Sequence, residues 1–93
     1  MLRINVTTRT EATIITLEGR LIGAWVDELA SCWQRVPPCD VRPIRIDLDS
    51  VTFVDAAGKA LLRALHAEGA MLMASGPMLR AIVDEIVAAR SQR

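Results

Sequence analysis

Apolar and polar positions alternate with a period of two at the start of the chain. Leu2, Ile4 and Val6 are interleaved with Arg3, Asn5 and Thr7, the pattern of a strand with one buried face. A polar turn from Arg9 to Glu11 leads into Ala12 to Glu18, a segment rich in β-branched residues that Gly19 closes. The two segments predict an antiparallel hairpin. From Ile22 the period lengthens. Ile22, Trp25, Val26, Leu29, Trp33 and Val36 fall within about 100° of one another on a helical wheel. Asp27, Glu28, Ser31, Gln34 and Arg35 lie opposite, so an amphipathic helix is expected. Pro37 and Pro38 end it, because proline has no amide proton to donate and disfavours helical geometry in the residue before it. Ile44, Ile46 and Leu48 then alternate with Arg45, Asp47 and Asp49 in a third strand, followed by a link through Val51 and Phe53. Asp55 opens a second helix that ends near Gly69, and Ala70 to Ala74 reads as a short apolar fourth strand. Gly76 and Pro77 suit the start of a third helix, proline being harmless in a first turn. Met78, Leu79, Ile82, Val83 and Ile86 form its expected buried side, and Ala89 to Arg93 are expected to fray.

The predicted order is ββαβαβα, an α/β fold. Crossovers between parallel strands are almost always right-handed. If strands two, three and four are laid down successively, both crossover helices reach the same face of one four-stranded mixed sheet. The charged alternate residues Arg45, Asp47 and Asp49 suit the uncovered face. Met71 and Met73 give strand four no polar face, so they are expected to meet either the third helix or a partner subunit in a homodimer. A chain of 93 residues is too short to divide into two stable cores, so one domain over residues 1–93 is expected.

Composition narrows the function classes. The chain is 52% hydrophobic and 24% charged, with 11 basic and 11 acidic residues. No run of like charge offers a footprint for nucleic acid. The apolar stretches are far shorter than the roughly 20 residues of a spanning helix, so no membrane insertion is expected. The first residues alternate where a secretory signal would be continuously apolar, which points to the cytoplasm. Ten of the eleven basic residues are arginine, a bias that fits a GC-rich bacterial genome.

Candidate chemistry is sparse. His66 has no serine or cysteine near it in sequence to make a nucleophile and base pair. Cys32 and Cys39 match no zinc spacing, and Trp25 and Trp33 sit in the apolar stripe of the first helix. Asp47 and Asp49 lie on alternate residues and would point the same way, as solvated carboxylates or as an acid–base pair. Asn5-Val6-Thr7 spells a glycosylation acceptor within an expected strand. No cofactor, no metal and no catalysis are predicted.

The most informative segment is residues 45–65, RIDLDSVTFVDAAGKALLRAL, where a strand ends, the chain turns at Asp55 and a helix begins. Ligands and partners usually meet open α/β sheets at such carboxyl-end turns. Asp55 is a natural N-cap. Free amides and Lys59 at this helix end could also favour a small anion, although no glycine-rich phosphate loop accompanies them.

The segment and its surrounding element order resemble the STAS domain family, which includes bacterial anti-sigma factor antagonists; the likeness covers roughly residues 12–87. In that family the strand is typically followed by an aspartate, then small residues that include a phosphorylatable serine or threonine, then glycine and an apolar helix. Here the run is Asp55, Ala56, Ala57, Gly58, then Leu61 and Leu62. Ala57 stands where the switched hydroxyl is usually found, and Ala56 offers no substitute. The resemblance therefore implies an interaction module that resembles the unmodified state, since phosphate would add about two negative charges there. Lys59 replaces a commonly apolar residue.

On a wheel, the second helix shows three stripes. Gly58, Leu61, Leu62 and Leu65 point inward. Lys59, Arg63 and His66 form one flank and Ala60, Ala64 and Ala67 the other. Asp55, Ala56, Ala57, Gly58, Lys59, Ala60, Arg63 and Ala64 are thus the candidate partner-binding residues. Flat alanines beside a basic edge would admit an acidic helix or loop; the alternative is a solvated flank of good helix formers. The resemblance implies one of two protein partners. One is a kinase-like anti-sigma factor. The other is the ATPase of an ABC-type lipid transport system, which short STAS proteins also serve.

Overall fold

The computed structural model describes residues 2–36 and 42–91. Its elements are β1 (Leu2–Thr8), β2 (Thr13–Leu21), α1 (Ala24–Arg35), β3 (Ile44–Val54), α2 (Ala56–Ala67), β4 (Met71–Met73) and α3 (Pro77–Ser91). The order is ββαβαβα, in one sheet of order β1-β2-β3-β4. β1 is antiparallel to β2, while β2, β3 and β4 run parallel. The strand alternation shows why the helices share one face. Ile15 and Leu17 of β2, Ile44, Ile46 and Leu48 of β3 and Leu72 of β4 are buried, and they join Val26, Leu29, Leu62, Leu65, Leu79, Val83 and Ile86 of the helices in one core.

The opposite face carries Thr16, Glu18, Arg45 and Asp47 together with Met71 and Met73. Both methionines are exposed, at 56% and 39%. They meet neither α3 nor any other helix, because β4 alternates like its neighbours and only Leu72 turns inward. Met78 is likewise exposed, and Leu79 begins the buried side of α3. Trp25 and Trp33 are half-buried and pack against the edge of the core.

Two strands outrun their sequence boundaries. β2 passes through Gly19, which sits at a register shift with φ of 107°; glycine tolerates this left-handed value where a side chain would strain. β3 continues to Val54 and pairs Phe53 with Arg20 and Val54 with Leu21. Two register shifts break strict alternation there, so the pattern reads as a link although the ladder goes on. α1 starts at Ala24 rather than Ile22, and α3 persists to Ser91. The proposed proline stop at Pro37 and Pro38 and the thiol of Cys39 lie outside the described residues.

Candidate functional site

The carboxyl ends of β2 and β3 lie side by side and release the chain into α1 and α2. Asp55 ties the two turns together. Its Oδ1 accepts from Gly58 N–H at 2.7 Å, which caps α2, and its Oδ2 accepts from Gly23 N–H at 3.2 Å, across to the turn before α1. The Asp55 N–H donates to Leu21 O at 3.2 Å, and Asp55 O accepts the first α2 bond from Lys59 N–H at 2.9 Å. One aspartate therefore satisfies amides of two helix starts while its own backbone is pinned to β2. Sequence reading finds the cap. The bridge to Gly23 spans 32 positions and has no local signal.

Gly58 is buried by this arrangement. A Cβ there would lie 2.7 Å from Leu21 O and 2.9 Å from Val54 Cγ1, so the first turn of α2 touches the end of β2 as only glycine allows. With Gly58 turned inward, Ala56 and Ala57 are left exposed on the rim. Ala60, Arg63 and Ala64 continue the exposed side of α2, while Leu62 and Leu65 are buried and Leu61 is half-buried. Lys59 is drawn away from this flank. Its Nζ lies 3.7 Å from Glu85 Oε2 of α3, an ion pair between neighbouring helices. His66 Nδ1 lies 3.2 Å from Ala70 O, at the turn into β4.

Phe53 adds an apolar component that alternation does not flag. It is 50% exposed, one residue from the strand end, and with Arg20, Ile22 and Thr52 it borders a shallow groove of about 440 Å³. Asp47 and Asp49 do not form a carboxylate pair. Asp47 Oδ1 accepts from Asp49 N–H at 3.0 Å, whereas Asp49 Oδ1 accepts from the Ser75 N–H and Oγ at 2.7 and 2.9 Å, which fixes the start of α3 to β3. Burial pushes the Cys32 thiol above its ordinary value, with Arg35 opposing and Glu28 adding to the shift.

The fold and this turn meet an independent match. The model of the STAS domain family aligns with residues 3–85. The chain belongs to the STAS domain family. Solved structures agree on the fold. An anti-sigma factor antagonist from Mycobacterium paratuberculosis is 20% identical, with a TM-score of 0.80 over 98% of this chain and 82% of that one. The anti-sigma factor antagonist SpoIIAA in its unphosphorylated form is 19% identical, with a TM-score of 0.64 over 88% of this chain and 82% of that one. A STAS domain antisigma-factor antagonist from Rhodobacter sphaeroides is 17% identical, with a TM-score of 0.57 over 81% and 86% of the respective chains. No protein with a curated description matches significantly. Among the described residues, no helix is long and apolar enough to cross a membrane.

Proposed function

We infer that this STAS domain is a non-catalytic docking module, similar to an anti-sigma factor antagonist, whose partner is another protein in the bacterial cytoplasm. The observation that carries the reading is the Asp55-Ala56-Ala57-Gly58 turn. Its backbone is held by the Asp55 bridge, and two methyl side chains face outward at the start of α2. A rim of this kind offers a flat surface with little side-chain entropy to lose on binding. Phe53 supplies an anchor beside it, and Arg63 a positive charge on the exposed side of α2. Lys59 contributes less than its charge suggests, because Glu85 already accompanies it.

Neither Ala56 nor Ala57 has a hydroxyl, so this docking surface is not switched by phosphate at the usual position of the family. It binds constitutively. Tagged protein expressed in its native host should co-purify one partner, a kinase-like anti-sigma factor in the leading reading, and lose it when Ala60→Glu is combined with Arg63→Glu. A transporter ATPase in its place would support the lipid-transport alternative. Undiminished recovery of the partner by the double variant would exclude this face of α2 as the docking site.

A further inference from the structure

A second surface runs along the β1 edge of the sheet and the neighbouring stripe of α1. Among the described residues β1 is hydrogen-bonded on one side only, so seven residues run along the sheet edge. An edge this long is a template for another strand unless charges, proline or a covering element block it. Arg3 is the single charged residue on β1, and the strand has no proline. The opposite edge, β4, is only three residues long. Next to β1, an open cleft of about 270 Å³ is lined by Leu2, Ile4, Trp25, Glu28, Cys32 and Arg35. The four α1 residues are spaced at three and four positions, so they form one stripe along the helix. Val6, on the same sheet face, is 43% exposed.

The charges on that stripe have a particular order. Glu28 and Arg35 are exposed, on either side of Cys32. Among the described residues the ion pairs are Lys59–Glu85 and Arg80–Asp84, so both charges of the stripe remain available. They are separated by seven positions, about 10 Å along the helix axis.

We propose that this face is self-complementary and joins a second copy of the chain, with β1 antiparallel to β1 and α1 antiparallel to α1 about one twofold axis. A twofold perpendicular to the sheet reverses both elements at once, as an isologous interface requires. Reversal about the Ser31–Cys32 position sets Glu28 against Arg35 of the second copy, and Arg35 against its Glu28. The spacing is compatible. Adjacent strands lie about 4.8 Å apart, so helices seated over β1 and β2 come to within roughly 10–14 Å of each other, which paired Glu and Arg side chains can span. The same operation covers Val6, closes the cleft over Leu2, Ile4 and Trp25, and turns two four-stranded sheets into one of eight strands. Opposite charges two helical turns apart on one stripe complement their own reversed copy, which favours a second copy over an unrelated partner as the occupant.

Sedimentation equilibrium of the full chain from about 10 µM to 1 mM, the range suited to a small interface, tests this directly. The wild type should dimerise reversibly. Glu28→Arg and Arg35→Glu, each placing two like-charge pairs in the dimer, should each weaken association by about tenfold or more. The combined Glu28→Arg, Arg35→Glu variant should restore it, because the pairs re-form with their signs exchanged. Val6→Lys, on the edge strand itself, should also weaken it. All three positions are exposed, and circular dichroism would verify that each variant is folded. A wild type monomeric throughout the range, single reversals without effect, or a double reversal no better than the singles would each overturn the proposal.

Discussion

Gly58→Ala should destabilise the protein, against the usual expectation for a helix. In an exposed helical position, replacing glycine with alanine gains about 1 kcal/mol because the glycine backbone loses more freedom on folding. At Gly58 the new Cβ would lie 2.7 Å from Leu21 O, 2.9 Å from Val54 Cγ1 and 3.1 Å from Leu21 Cγ. The carbonyl cannot simply turn aside, because it accepts the Asp55 N–H at 3.2 Å, and Asp55 in turn caps α2 and holds Gly23. Relief must come from a shift of α2 against the ends of β2 and β3. Overpacking of this kind costs about 1–3 kcal/mol, and contact with backbone on one side places Gly58 near the upper end. After the propensity gain is subtracted, a net loss of about 1–2 kcal/mol remains. For a domain of this size that lowers Tm by roughly 5–15 °C. Thermal and urea unfolding of Gly58→Ala and of Ala60→Gly, an exposed control on the same helix, would measure it. A Gly58→Ala Tm equal to or above wild type would refute the close approach of α2 to Leu21.

Other outcomes follow from single contacts. Asp55→Ala removes both bridging bonds and should cost about 2–3 kcal/mol in urea unfolding, as expected for a lost cap and a charge-assisted bond; Asp55→Asn keeps an acceptor for one amide only and should fall between. Thr13 is fully buried, and its Oγ1 has no partner among the described residues, so Thr13→Val should raise stability by about 1 kcal/mol, read as a higher Tm. In a Cys39→Ser background, Cys32 should react with an aromatic disulfide reagent far more slowly in folded than in urea-unfolded protein at pH 8. Because its folded pKa is raised above the ordinary 9.0, the stability this thiol contributes is fully present below pH 9.0 and declines as pH rises from there through the higher folded value. A pH series of urea midpoints with no alkaline decline attributable to Cys32, checked against Cys32→Ala, would contradict this.

Much of the fold is legible in the alternation of Leu2, Ile4 and Val6 and of Ile44, Ile46 and Leu48, because each strand is solvated on one face. α2 is legible at both ends, since Asp55 is a local cap and Gly69 a local stop. What escapes the sequence is what distant contacts decide. Gly19 looks like a terminator, yet β2 continues because β3 offers Phe53 and Val54 as partners beyond the register shift. The Asp55 bridge to Gly23 and the Lys59–Glu85 pair join residues far apart in sequence, and no short-range pattern foretells them. Phe53 escapes notice because an aromatic residue in a strand normally points inward, whereas the two register shifts each add one residue to β3 and so leave Phe53 on the outer face with Arg45 and Asp47. Of the candidate binding residues, Ala56, Ala57, Ala60, Arg63 and Ala64 share the exposed rim and side of α2. Gly58 and Asp55 shape that rim from beneath, and Lys59 leans toward α3.

Constitutive docking of a protein partner is proposed for the exposed alanine rim at the start of α2. Its most direct test is titration calorimetry of the co-purified partner against wild type and against Ala57→Glu, which adds bulk and negative charge at one exposed position without touching the Asp55 bridge. Constitutive docking implies tight binding by unmodified wild type and a loss of about tenfold or more in the variant; equal affinity of the two proteins would refute it.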